Sequence, residues 1–100
     1  MFVIIYSFKI YPNKKQEFIK SWTNLTEYIY QKYGSKGSKL HKESEDSFIA
    51  YAQWPSKEIL ENSKKNKSKK GDELSQKLRK YCLKVEILYE MDTIIDLLKN

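Results

Sequence analysis

Apolar side chains occupy both faces of the first segment. Phe2 to Tyr11 reads as a β-strand rich in aromatic and β-branched residues, with Val3 and Ile5 on one parity and Phe2, Ile4, Tyr6, Phe8 and Ile10 on the other. A strand apolar on both faces needs cover on both sides. Pro12-Asn13 then supplies a turn, after which Phe18, Trp22, Leu25 and Ile29 recur at spacings of four, three and four. That stripe predicts an amphipathic helix over Lys14 to Tyr33, widened by Ile19 and Tyr33, with Lys15, Glu17, Lys20 and Glu27 on the outer side. Gly34 stands where a glycine cap would end it.

Two strands are predicted next, Gly37 to Glu43 and Ser47 to Trp54, joined by the polar turn Ser44-Glu45-Asp46. The second carries Phe48, Ala50, Ala52 and Trp54 on one parity and Ile49, Tyr51 and Gln53 on the other, so again neither face is wholly polar. Ser56 is placed to cap a short helix, Lys57 to Ser63, that contributes Ile59 and Leu60. Leu74, Leu78, Tyr81, Cys82 and Val85 repeat at helical spacing and predict a helix from Asp72 to Val85, although Leu83 to Tyr89 also alternates like a strand. Tyr89 to Leu98 is the predicted closing strand. The order β-α-β-β-α-β, with an extra helical turn before the last long helix, is the ferredoxin-like arrangement of an α+β protein with an antiparallel sheet.

Composition narrows the function. The chain has 100 residues and the apolar content of one globular domain spanning 1–100. Cys82 is the only cysteine, which excludes an intrachain disulfide and suits a reducing cytoplasm. With a single histidine, His41, a zinc site is not expected, and no metal is assigned. No stretch approaches the roughly 20 apolar residues that span a bilayer, and the apolar N-terminus reads as a strand rather than a signal segment. Oligomerisation is then the remaining support for so small a core.

The net charge of +6 is local. Lys64, Lys65, Lys67, Lys69 and Lys70 fall in one run, and without those five charges the balance drops to +1. The run predicts a solvated loop over residues 64–71, because nothing in it is apolar. It lacks aromatic residues that would stack on bases, so nucleic acid is not the expected partner.

The stretch Gly37-Ser38-Lys39-Leu40-His41-Lys42, followed by Phe48-Ile49-Ala50-Tyr51-Ala52-Gln53-Trp54-Pro55-Ser56, resembles the central hairpin of the antibiotic biosynthesis monooxygenase family. Weaker similarity covers Phe2 to Phe18, Trp22 and Glu90 to Leu98 and leaves out Lys64 to Asp72. The resemblance implies a dimeric α+β barrel, in which the sheets of two protomers pair face to face. That pairing would supply the missing cover on the strands.

The family includes cofactor-independent oxygenases of aromatic polyketides and haem-degrading enzymes. In the haem-degrading branch an Asn on the first strand, a Trp on the middle helix and a His on the last helix form the site. The matching positions fall near Ser7, near Ser63 and in or just after the lysine run, which has no histidine. Haem chemistry of that type is therefore not expected, and no cofactor is assigned. The expected function is that of a cofactor-independent monooxygenase-like protein holding a small aromatic or quinone-type molecule between helices and sheet. The alternative is a non-catalytic ligand-binding or stress-related homodimer.

His41 is the candidate base, and Ser7, Trp22, Tyr51 and Trp54 are the candidate pocket residues. Each has a structural alternative. Trp22 and Trp54 could be core, His41 and Tyr51 hydrogen-bonded strand residues, and Ser7 a small residue beneath the helix. Cys82, on an apolar helix face, reads as an inert thiol rather than a nucleophile.

Overall fold

The computed structural model describes residues 1–99. Its elements are β1 (Phe2–Ile10), α1 (Lys15–Tyr33), β2 (Ser38–Ser44), β3 (Ser47–Trp54), α2 (Lys57–Lys65), α3 (Lys69–Arg79) and β4 (Cys82–Asp92). The strands form one antiparallel sheet in the order β2-β3-β1-β4, with the two most apolar strands at its centre. This is the expected ferredoxin-like α+β protomer. Among the described residues no helix is long and apolar enough to cross a membrane.

The register explains which residues form the core. Phe8 lies opposite Phe48, Tyr6 opposite Ala50, Ile4 opposite Ala52 and Phe2 opposite Trp54, and this parity faces the helices. Phe18 on α1 is fully buried there, with its ring centroid 5.2 Å from both Phe8 and Phe48. The core has two clusters. One contains Phe8, Ile10, Phe18, Phe48, Ala50 and Leu78, the other Phe2, Ile4, Ala52, Trp54 and Leu60, and Tyr6 packs against both. Gly34 adopts φ 79°, the left-handed conformation that ends α1.

Two expectations fail, both in the C-terminal third. The lysine run is not a loop of residues 64–71: Lys64 and Lys65 close α2, Lys69 and Lys70 open α3, and only Asn66, Lys67 and Ser68 lie between. Lysine is a good helix former, and two caps outweigh the charge. The Asn66 N–H donates to the carbonyls of Asn62 and Ser63, and the Ser68 hydroxyl accepts from the Gly71 N–H. The long helix expected to reach Val85 stops at Arg79, and β4 begins at Cys82 rather than Tyr89. Leu83 to Tyr89 follows its alternating pattern because β1 offers an edge to pair with, and two register shifts let β4 keep that pairing. Residues 93–99 are not in a strand, and Ile94, Ile95, Leu97 and Leu98 are at least 73% exposed.

Candidate functional site

A cavity of about 370 Å³ separates the sheet from the helices. Its origin lies in β3. Ala50 and Ala52 stand on the helix-facing parity where larger side chains would fill the layer, and interiors are otherwise close-packed. Tyr6, Ala50 and Ala52 line the sheet side, Trp22, Leu25 and Ile29 the α1 side. Trp54 and Leu60 belong to the lining near α2, and Ser63, Lys64, Lys67 and Ser68 carry it along the α2–α3 connection. That connection is tied to α1, because the Tyr33 hydroxyl donates to the Asn66 carbonyl at 2.7 Å and Tyr28 and Ser68 share a hydrogen bond.

Of the expected pocket residues, Trp22 and Trp54 line this cavity. Ser7, His41 and Tyr51 do not. The reason is strand parity: in register Ser7 faces Ile49, His41 faces Ile49 from the other side, and Tyr51 faces Ile5, all on the sheet face turned away from the helices. His41 is exposed there, and Ser7 is buried. A base on His41 therefore has no access to the helix-side cavity in one protomer.

Tyr6 is the lining residue that the sequence did not single out. Burial pushes its phenol above the ordinary value of 10.0, and the nearby Glu90 carboxylate adds to the rise. Tyr6 is therefore a neutral hydroxyl at physiological pH, a donor rather than a base. Every fully buried side-chain polar atom among the described residues has a partner, and Tyr6 makes no side-chain hydrogen bond. Its hydroxyl is therefore not sealed in the core, on a residue that lines the cavity. Two serines of the lining are committed elsewhere: Ser38 donates to the Tyr51 carbonyl and Ser63 to the Leu60 carbonyl. The alternation of alanines with aromatic residues in β3 was the available sign that a neighbouring strand residue would border an unfilled space.

Cys82 opens β4 and is half-buried, rather than lying on the apolar helix face expected of it. Its Sγ donates to the Leu78 carbonyl at 3.4 Å, and burial pushes its pKa up to about 11, with Arg79 opposing. Thiolate is the reactive species. Alkylation by iodoacetamide at pH 8 is expected to run at least about tenfold slower than for a cysteine peptide, and equal rates, read by intact mass, would contradict this burial.

The geometry defines a class: a ferredoxin-like α+β protomer with an aromatic-walled cavity between its two layers. Solved structures share the fold. SnoaB, a cofactor-independent oxygenase from Streptomyces nogalater, in a point-mutant form, superposes with a TM-score of 0.80 at 13% identity, covering 98% of this chain and 97% of that one. An antibiotic biosynthesis monooxygenase superposes with a TM-score of 0.73 at 15% identity, over 95% of this chain and 100% of the other. An uncharacterized NIPSNAP domain protein from Burkholderia xenovorans gives 0.73 at 12% identity, with both chains fully covered. No family sequence model and no curated protein matches the chain. The fold of the antibiotic biosynthesis monooxygenases, expected from the central hairpin, is therefore the fold of this protein.

Proposed function

We propose that the cavity holds a small aromatic or quinone-type molecule, which the protein oxidises as a cofactor-independent monooxygenase. The observation that carries this reading is the lining itself: rings of Tyr6, Trp22 and Trp54 around about 370 Å³ of space, a size and character that suit a compact multi-ring ligand. SnoaB, which shares the fold, is a cofactor-independent oxygenase. In such a reaction an activated CH₂ of a phenolic substrate becomes a carbonyl. One atom of O₂ enters the carbon, and the other leaves as water with the two hydrogens. The Tyr6 hydroxyl is suited to donate a hydrogen bond to the substrate oxygen on which charge collects as the CH₂ is deprotonated.

Oxygen uptake with a panel of anthrones and quinols, above a protein-free control, tests this. Tyr6→Phe is expected to lower kcat/KM about tenfold, the worth of one hydrogen bond to a charged oxygen. His41→Ala is expected to leave turnover intact, since His41 lies on the opposite face. No uptake with any substrate would sink the catalytic reading.

The second reading, ligand binding without turnover, is favoured by one observation: the cavity lining carries no imidazole. Both tryptophans of the chain border the cavity, so quenching of intrinsic fluorescence reports occupancy directly. Quenching by a quinone without oxygen uptake would select this reading.

For either reading we propose a cytoplasmic homodimer joined through the helix-free sheet faces. Ile5, Ile49, Tyr51, Tyr89 and Met91 lie on that face with no layer of this protomer over them, and Tyr89 is 61% exposed. An isologous contact between two such faces would bury them.

A further inference from the structure

The lysine run that the function leaves unused borders the cavity. Of its five lysines, Lys64 and Lys67 are in the lining, together with Ser63, Ser68 and Asp72. Arg79 lines it as well, but eleven helical residues of α3 lie between Lys67 and Lys80, so Arg79 sits about 15 Å farther along the axis. Asp72 is the only carboxylate of the lining, against three cations. Lys64 is weakly engaged at 3.9 Å from Glu61, and Lys67 has no ion pair among the described residues. The segment that carries them is held against α1. The approach at Gly71 is tight, since a Cβ there would lie 3.0 Å from the Ser68 Oγ and 3.3 Å from the Tyr28 ring. The connection that could have remained a free charged loop is thus packed over an apolar, aromatic space, with two ammonium groups at one end of it.

We propose that the ligand of this cavity is an aromatic anion: a planar ring system held by the Tyr6, Trp22 and Trp54 walls, with a carboxylate or sulfonate group at the Lys64 and Lys67 end. An apolar wall supplies the affinity of the rings but does not distinguish a neutral ligand from a charged one. A pair of lysine ammoniums beside it does, because a charge-assisted hydrogen bond to an anion is stronger than one between neutral groups. The assignment rests on the reading of the cavity as a ligand site and adds the charge of what it takes.

The test uses the full-length protein and three probes of one shape: anthraquinone-2-carboxylate, anthraquinone-2-sulfonate and the neutral anthraquinone-2-carboxamide, followed by tryptophan quenching. Both anions are expected to bind about tenfold more tightly than the amide, and the advantage is expected to shrink as salt rises from 50 to about 500 mM. Lys64→Gln with Lys67→Gln is expected to abolish the preference, so that anions and amide then bind alike. These side chains are exposed, so the fold tolerates the change. A carboxylate preference without a sulfonate one, or the reverse, identifies which anion fits and supports the assignment. Equal binding of amide and anions overturns the inference alone. A preference removed by Arg79→Gln and not by the lysine pair overturns the placement at the lysine end. Failure of all three probes to bind overturns the cavity reading itself.

Discussion

Phe18→Ala is expected to lower the unfolding free energy by about 4 kcal/mol, the cost of emptying a fully buried phenylalanine site. Phe18 is the one α1 side chain that is completely buried, and its ring touches both central strands through Phe8 and Phe48 at 5.2 Å. The loss has two parts: transfer of the ring from the core to water, and the void left where β1, β3 and α1 meet. The neighbourhood cannot close over that void easily. Ala50, next to it in the cluster, already leaves space on the cavity side, and Leu78 is anchored on α3. Ile19→Ala is the matched control, because Ile19 is 36% exposed on the same helix and should cost less than about 1 kcal/mol. Urea unfolding at one fixed protomer concentration, needed because association would add to the apparent stability, provides the check. A difference between the two variants below about 1.5 kcal/mol would mean that Phe18 is not the keystone of the packing.

How far the sequence revealed this structure depends on the distance between interacting residues. The α1 stripe of Phe18, Trp22, Leu25 and Ile29 is a local pattern, and it sets both the helix and its buried face. The β3 segment matched its expected limits, Ser47 to Trp54, since turn residues bound it on both sides. The segment after Arg79 was ambiguous because the same apolar residues satisfy a helix stripe and a strand alternation. Only the presence of the unpaired β1 edge decides between them, and that is a long-range fact. The lysine run misled for a related reason. Its charges suggested solvation, whereas the caps at Asn66 and Ser68 and the contacts with Tyr28 and Tyr33 made it a connection between helices.

The site was less accessible than the fold. Choosing pocket residues requires knowing which parity faces the helices, and in a strand apolar on both sides the pattern does not say. Phe8 and Phe48 mark the helix-facing parity once they are seen opposite one another, and Tyr6 then falls on it while Ser7, Tyr51 and His41 fall on the other. Trp22 was identifiable because helical spacing fixes direction as well as position.

The helix-free face should respond to Tyr89→Asp by losing its partner: sedimentation or light scattering is expected to move from about twice 12.0 kDa to 12.0 kDa, with a dissociation constant raised at least about a hundredfold. The face is not uniform, and its polar end is set apart from its apolar one. At one end Lys9 bonds Ser47 at 2.7 Å and lies 3.4 Å from Glu43, while Ser47 donates to Glu43 at 2.6 Å, so that corner is satisfied within one chain. The Ser47 hydroxyl, helped by Lys9, holds the Glu43 carboxyl below its ordinary value, and Lys84 and Glu86 pair close by at 3.4 Å. On the outer strand β2, Lys39 and His41 are exposed and discourage burial. The apolar remainder is Ile5, Ile49, Tyr51, Tyr89 and Met91, adjoining the exposed Ile94 and Ile95 that follow the Thr93 N–H bond to the Met1 carbonyl. In a two-fold contact Tyr89 enters twice, so one substitution brings two carboxylates into an apolar interface where neither has a counter-charge. In a lone protomer the same substitution sits on a solvent-exposed edge strand and should leave the fold intact by circular dichroism. Lys20→Asp, on the outer side of α1, is the control and should leave the mass unchanged. A wild-type protein that sediments at 12.0 kDa, or a Tyr89→Asp variant indistinguishable from it, would require another explanation for the apolar parity of β1 and β4.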